Sequence, residues 1–174
     1  MGLGSSCPSR YRFLMAAFYF LLVLHIGLGT AAMIAGPVSM FSRKRRGRHT
    51  TAGEIYHWLV LGTCAGAAAL AFLDWSRIWW FLPIAIGSYA FAFVGYLAAK
   101  WRWRGWLPFH IIGQGGSYIA LVTAVLVVNW LTLFGTRGIH SPLAWVLPTV
   151  LGSPIIGFVV ARTQRKAKRN GTAA

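Results

Sequence analysis

Residues 43–57, RKRRGRHTTAGEIYH, decide the fold because they place a dense cluster of cations between two long apolar runs. The stretch holds five Lys and Arg, two histidines and one of the chain's two acidic residues. A cluster this basic resists crossing a bilayer, so it predicts which side of the molecule faces the cytoplasm. We expect its cations to contact lipid headgroups: Arg43, Lys44, Arg45, Arg46 and Arg48.

The composition is that of a membrane protein. Hydrophobic residues make up 57% of the 174 residues and charged residues only 11%, whereas soluble domains carry about 25% charged residues. The formal net charge is +15. Because the cations lie between apolar runs and not on a polar domain, the predicted partner is a bilayer with anionic headgroups and not nucleic acid.

Five apolar runs follow one another along the chain. A membrane-spanning helix needs about 20 residues to cross about 30 Å of hydrocarbon, and each run is long enough. The sequence therefore predicts an all-α integral membrane bundle of five transmembrane helices in a single membrane domain, 1–174. The predicted helices are about 13–36, 54–73, 78–99, 107–134 and 142–161. Thr51 and Glu54 have the spacing of a capping box at the start of the second helix.

The distribution of charge predicts the orientation. The basic segments 43–48, 100–104 and 162–169 hold thirteen of the 17 Lys and Arg, and five spans put all three on one side. The positive-inside rule then places the N-terminus outside and the C-terminus inside a bacterial inner membrane. Tryptophans near the span ends are typical of interfacial belts: Trp101, Trp103 and Trp106 inside, and Trp75, Trp79 and Trp80 outside.

Two histidines are candidate haem ligands. With these boundaries, His57 lies about four residues into the second helix and His110 three residues into the fourth. Two histidines at equal depth on neighbouring helices suit the axial positions of a haem b, and Gly113, Gly115 and Gly116 would give a flat cofactor room. The alternative is that both are interfacial residues hydrogen-bonded to loop carbonyls or headgroups.

His25 is a third candidate because it lies near the predicted midplane of the first helix. An ionisable side chain at that depth is a functional candidate on a proton or quinone path, or a ligand-binding residue. The alternative is a neutral histidine paired with Tyr118 or a backbone carbonyl. Gln114 and Ser117 share a face with His110 and, with Tyr118, are predicted to line a cavity, or else to join helices.

Three blocks of sequence resemble an uncharacterised bacterial family described only as a "predicted membrane protein", a domain of unknown function. The first block runs from His25 through Gly36-Pro37-Val38 to the Arg48 to Tyr56 stretch. The second is His110 to Ala124, and the third contains Trp145 and the Gly152 to Ile155 stretch. The resemblance implies a membrane fold and the candidate positions His25, Arg48, His49, Gly53 and His110.

The leading hypothesis is a small b-type haem or redox membrane protein. One alternative is a non-enzymatic transport or binding protein with a cavity at His25, and another is an accessory subunit of a membrane complex. With Glu54 and Asp74 as the only acidic residues, acid–base hydrolysis is poorly supported, and neither catalytic nor metal-binding residues are predicted. The protein partner would be a second copy of the chain or a membrane complex.

Overall fold

A computed structural model describes residues 7–43, 47–135 and 141–169, and within these ranges every regular element is a helix. Five of the helices are long and apolar enough to span a membrane, so the predicted all-α class and the five spans are confirmed. The helices are α1 (Cys7–Phe41), α2 (Arg48–Leu73), α3 (Trp75–Ile78), α4 (Phe81–Trp101), α5 (Trp106–Phe134) and α6 (Pro142–Arg169).

The ends of the helices extend beyond the predicted apolar runs. α1 continues past Gly36 to Phe41, and α6 continues through its basic end to Arg169. α2 begins at Arg48, and its N-cap is Gly47 without a side-chain hydrogen bond. The predicted capping box is therefore wrong, because the Thr51 amide already donates to the Gly47 carbonyl inside the helix, at 3.0 Å.

A short turn separates the second and third spans. Asp74 ends α2, and its backbone N–H donates to the Leu70 carbonyl. The Asp74 carboxylate lies 4.0 Å from Nε of Arg77 on the exposed single turn α3. This turn moves the start of the third span to Phe81, three residues later than predicted.

The chain divides into two compact units, Met1–Ile86 and Gly87–Ala174, and the boundary falls inside α4. In unit 1, α1 packs along α2 through small residues. A Cβ added to Gly62 would lie 3.0 Å from Leu28, and one added to Gly66 would lie 3.3 Å from Cβ of His25. Close approach at small residues is the usual packing of membrane helices. The single membrane domain stays a prediction.

In unit 2, α5 packs between α4 and α6. Gly113 meets Gly95 of α4 so closely that an added Cβ would lie 2.6 Å from the Gly95 Cα. On α6, Ile156 fills the space beside Gly115, and Gly152 receives the side chain of Ile119. These two contacts show that α5 and α6 run antiparallel. Near the other end of the pair, Val127, Trp130 and Ala144 form a small buried cluster.

Many large apolar side chains of the spans are exposed, as expected where lipid replaces water. On α1 they include Phe13, Phe20 and Val23, each about 70% exposed. Trp75, Trp79 and Trp101 are exposed near helix ends, where the interfacial belts were predicted. The orientation of the termini stays a prediction.

Candidate functional site

His25 lies near the middle of α1, which runs from Cys7 to Phe41. Its Nδ1 donates a hydrogen bond to the Thr63 carbonyl of α2, at 2.9 Å. Gly29, one turn further along α1, packs on the same Thr63, since an added Cβ would lie 3.5 Å from its methyl group. The partner of Nδ1 is thus a backbone carbonyl, and whether His25 also binds a ligand stays a prediction.

His49 makes a similar contact at the basic end of the same helix pair. Its Nδ1 donates to the Ser39 carbonyl of α1, at 2.8 Å, and Gly53 packs on the Ser39 hydroxyl, 3.5 Å from an added Cβ. Ser39 also lies 3.5 Å from the His49 carbonyl and is in position to donate to it. His49 thus joins the start of α2 to the end of α1.

His110 makes the third contact, in unit 2. Its Nδ1 donates to the Gly95 carbonyl of α4, at 2.8 Å, and Gly113 packs on the backbone of the same Gly95. The acceptor is therefore a carbonyl within a helix, and not the loop carbonyl that the alternative predicted.

The three histidines share one arrangement, which we call the histidine–glycine contact. The histidine donates to the carbonyl of a small residue on the neighbouring helix, and a glycine one turn later packs on that same residue. Side chains three or four positions apart share a helix face. The histidine and the glycine therefore both contact the same residue of the neighbouring helix. Because a carbonyl oxygen only accepts, Nδ1 carries the proton, and in the neutral ring Nε2 is the acceptor.

His57 is different. It is 3% exposed, and its ring lies edge-on to Trp58 with the centroids 5.4 Å apart. Because α2 begins at Arg48, His57 lies nine residues into its helix, about 14 Å along the axis. His110 lies four residues into α5, about 6 Å along its axis. The equal depth of His57 and His110 in the membrane stays a prediction.

The glycines that were predicted to leave room for a cofactor face protein atoms. Gly113 faces Gly95, Gly115 faces Ile156, and Gly116 faces the Phe91 ring, 2.9 Å from an added Cβ. This space is filled by α4 and α6. The haem hypothesis therefore gains no support from the glycines and stays a prediction.

The predicted cavity residues of α5 make hydrogen bonds to backbone. The Gln114 amide donates to the Ala92 carbonyl of α4, at 3.0 Å. The Ser117 hydroxyl, 1% exposed, donates to the Gln114 carbonyl one turn before it, at 2.9 Å. Tyr118 is half-buried. Gln114 thus joins α5 to α4, as the interhelical alternative predicted, and the cavity stays a prediction.

Two glycines shape the predicted cytoplasmic turns. Gly47 and Gly105, the N-caps of α2 and α5, have φ of 128° and 76°, which side chains rarely adopt. Each follows an arginine of a basic segment. Arg43 and Arg48 are exposed, in agreement with headgroup contact, and Lys44, Arg45 and Arg46 lie outside the described residues.

The partner residues of the histidines, Ser39, Thr63 and Gly95, were not predicted. One signal for these contacts is in the sequence: each histidine is followed by a glycine three or four positions later. Nothing in the sequence marks the residue on the other helix.

Comparisons with family models, curated proteins and solved structures found no match to this chain, so the family resemblance stays a prediction.

Proposed function

We propose that the chain is a non-enzymatic multi-pass protein of a bacterial inner membrane that binds a small lipophilic molecule at His25. The observation that carries the proposal is the hydrogen bond from His25 Nδ1 to the Thr63 carbonyl. It holds the ring at the middle of α1 with Nε2 as the acceptor of the neutral form.

The position of His25 makes that acceptor a strong binding group. Within residues 11–43 and 47–86, Nε2 of His25 makes no hydrogen bond. A polar atom left unpaired in hydrocarbon costs several kcal/mol, on the order of 4–8 on the cyclohexane scale. A ligand that supplies an O–H or N–H donor recovers part of this cost. The ligand class is therefore an apolar molecule with one hydroxyl or N–H group, such as a quinol or phenol.

Two substitutions at His25 separate ligand binding from helix packing. His25→Asn keeps a donor near the position of Nδ1 and removes the acceptor at the position of Nε2, whereas His25→Ala removes both. The assay is thermal unfolding of the detergent-purified protein with a panel of lipophilic quinols and phenols. We expect stabilisation of the unsubstituted chain by at least one compound. His25→Asn should keep the stability without ligand and lose the shift, while His25→Ala should lose both.

The proposal fails if no compound stabilises the chain, or if a compound stabilises His25→Asn as much as the unsubstituted protein. Equal shifts would mean that the ligand binds elsewhere.

A second candidate function is haem b binding through His110. It is favoured by the bond from His110 Nδ1 to the Gly95 carbonyl, because haem and metal ligands commonly donate their other ring N–H to a carbonyl. Protein purified with haem available should then show a Soret band that His110→Ala weakens. His57→Ala tests the predicted second axial ligand. A colourless preparation would exclude this candidate.

The proposed orientation places the N-terminus outside and the C-terminus inside. It is supported by the thirteen cations that five spans put on one side, against four on the other. Reporter enzymes fused to the C-terminus test it directly. A cytoplasmic reporter should be active there, and activity of a periplasmic reporter at the same point would reverse the orientation.

A further inference from the structure

The C-terminal end of α6 carries a one-sided stripe of cations. Arg162, Arg165, Lys166 and Arg169 follow one another at the i, i+3, i+4, i+7 spacing of one helix face. All four are exposed. We call these four residues the basic stripe. Lys168 lies off it, about 110° round the helix from its centre.

The basic stripe faces away from α5. α6 contacts α5 through Gly152 and Ile156, and the same face continues through the half-buried Thr163 and Ala167. The centre of the basic stripe lies about 120° round the helix from this face. The side chains of the stripe therefore point out of the α5–α6 pair.

The basic stripe also lies at the depth where a headgroup layer begins. Residues 142–161 are twenty residues long, about 30 Å of helix, which is the thickness of the hydrocarbon core. α6 continues without a break from this segment to Arg169. The antiparallel contacts of Gly115 with Ile156 and of Gly152 with Ile119 extrapolate to place Arg165 level with Trp106, the first residue of α5.

The same end of unit 2 holds further exposed cations. Lys100, Arg102 and Arg104 are exposed around the α4–α5 turn, and the Arg102 guanidinium lies 5.4 Å from the centre of the Trp106 ring. The only acidic side chains of the chain, Glu54 and Asp74, precede residue 87.

We propose that the basic stripe is a binding surface for the phosphate groups of anionic phospholipids in the leaflet that surrounds this end of α6. Arginine and lysine donors suit phosphate oxygens, and the continuous helix holds them at headgroup depth. Each cation near an anionic surface contributes about 1 kcal/mol, roughly a fivefold change in affinity. This inference does not depend on ligand binding at His25.

Native mass spectrometry of the full chain in detergent tests the proposal. The probes are phosphatidylglycerol and phosphatidylcholine with the same acyl chains, and the expected result is preferential binding of phosphatidylglycerol. Replacing all four stripe cations by glutamine should remove most of this preference, at least tenfold, with unchanged helix content by circular dichroism. Lys166→Gln should reduce it several-fold more than Lys168→Gln, the matched control off the stripe.

Three outcomes would overturn the proposal. One is an unchanged preference in the fourfold variant, and another is equal losses for Lys166→Gln and Lys168→Gln. The third is displacement of phosphatidylglycerol by millimolar inorganic phosphate, which would assign the stripe to a free anion.

Discussion

Replacing Gly113 by alanine tests whether the histidine–glycine contact depends on close approach of the helix backbones. A Cβ at this position would lie 2.6 Å from the Cα and N of Gly95 and from the Phe91 carbonyl oxygen. All three are backbone atoms, so rotation of a side chain cannot relieve the overlap. The helices α4 and α5 must move apart by about 0.9 Å to reach normal contact distances of about 3.5 Å.

That movement would break the hydrogen bonds beside the glycine. The His110–Gly95 distance of 2.8 Å would become about 3.7 Å, beyond hydrogen-bonding range. The Gln114–Ala92 bond of 3.0 Å would lengthen similarly. Overpacking costs about 1–3 kcal/mol, and each interhelical bond about 0.6 kcal/mol. Alanine regains up to about 1 kcal/mol of helix propensity. The net loss should be about 2 kcal/mol, roughly 30-fold in the unfolding equilibrium.

The assay is reversible unfolding in mixed micelles with increasing dodecyl sulfate, followed by far-ultraviolet circular dichroism. Two glycines serve as matched controls. Gly157 of α6 has open space around it, and Gly53 belongs to a histidine–glycine contact in which an added Cβ would lie at 3.5 Å. Alanine at either position should leave the free energy of unfolding unchanged or raise it by up to about 1 kcal/mol through helix propensity. If Gly113→Ala is as stable as these controls, close backbone approach is not what holds α4 and α5 together.

Three further substitutions follow from the same geometry, each measured in the same unfolding assay. Gly115→Ala should cost less than Gly113→Ala, under about 1 kcal/mol, because the Ile156 side chain that it meets can rotate away; an equal cost would contradict this reading. Gly105→Ala should cost about 1–2 kcal/mol because its φ of 76° strains any residue with a Cβ, and a neutral result would show that the turn can rearrange. His49→Ala should lose about 0.6 kcal/mol with its bond to Ser39, and His49→Asn should restore part of it; failure of Asn to do better than Ala would assign the loss to ring packing.

The number of spans was predictable because the free energy of moving a twenty-residue helix from water into hydrocarbon depends mainly on its residue types. Contacts between helices do not have to be known for this prediction. Helix ends were less predictable. Thr51 has the spacing of a capping residue, yet α2 starts earlier, at Arg48. A helix can continue past the membrane boundary where water solvates its first turn and contacts with a neighbouring helix stabilise it. The hydrogen bond from His49 to Ser39 is such a contact.

The candidate site was only partly predictable. Depth along a helix correctly marked His25 and His110 as polar groups that need partners. The partner atoms are backbone carbonyls, which every residue carries, so residue type does not identify them. They are fixed by the register between helices, and that register depends on which small residues face each other, as Gly95 and Gly113 do. The predicted depth of His57 relied on Glu54 as the start of the second helix, whereas α2 begins six residues earlier, at Arg48.

The three histidine–glycine contacts all join helices that are consecutive in the chain, with sequence separations of 38, 10 and 15 residues. Each imidazole N–H can therefore find its carbonyl as soon as a single hairpin has been synthesised. During biogenesis, α1 with α2, and later α4 with α5, can enter the lipid as pairs whose histidine donors are already satisfied. The hydrogen bond within each pair then offsets the free-energy cost of moving these donors into hydrocarbon. This happens at each insertion step, before the last helix leaves the ribosome.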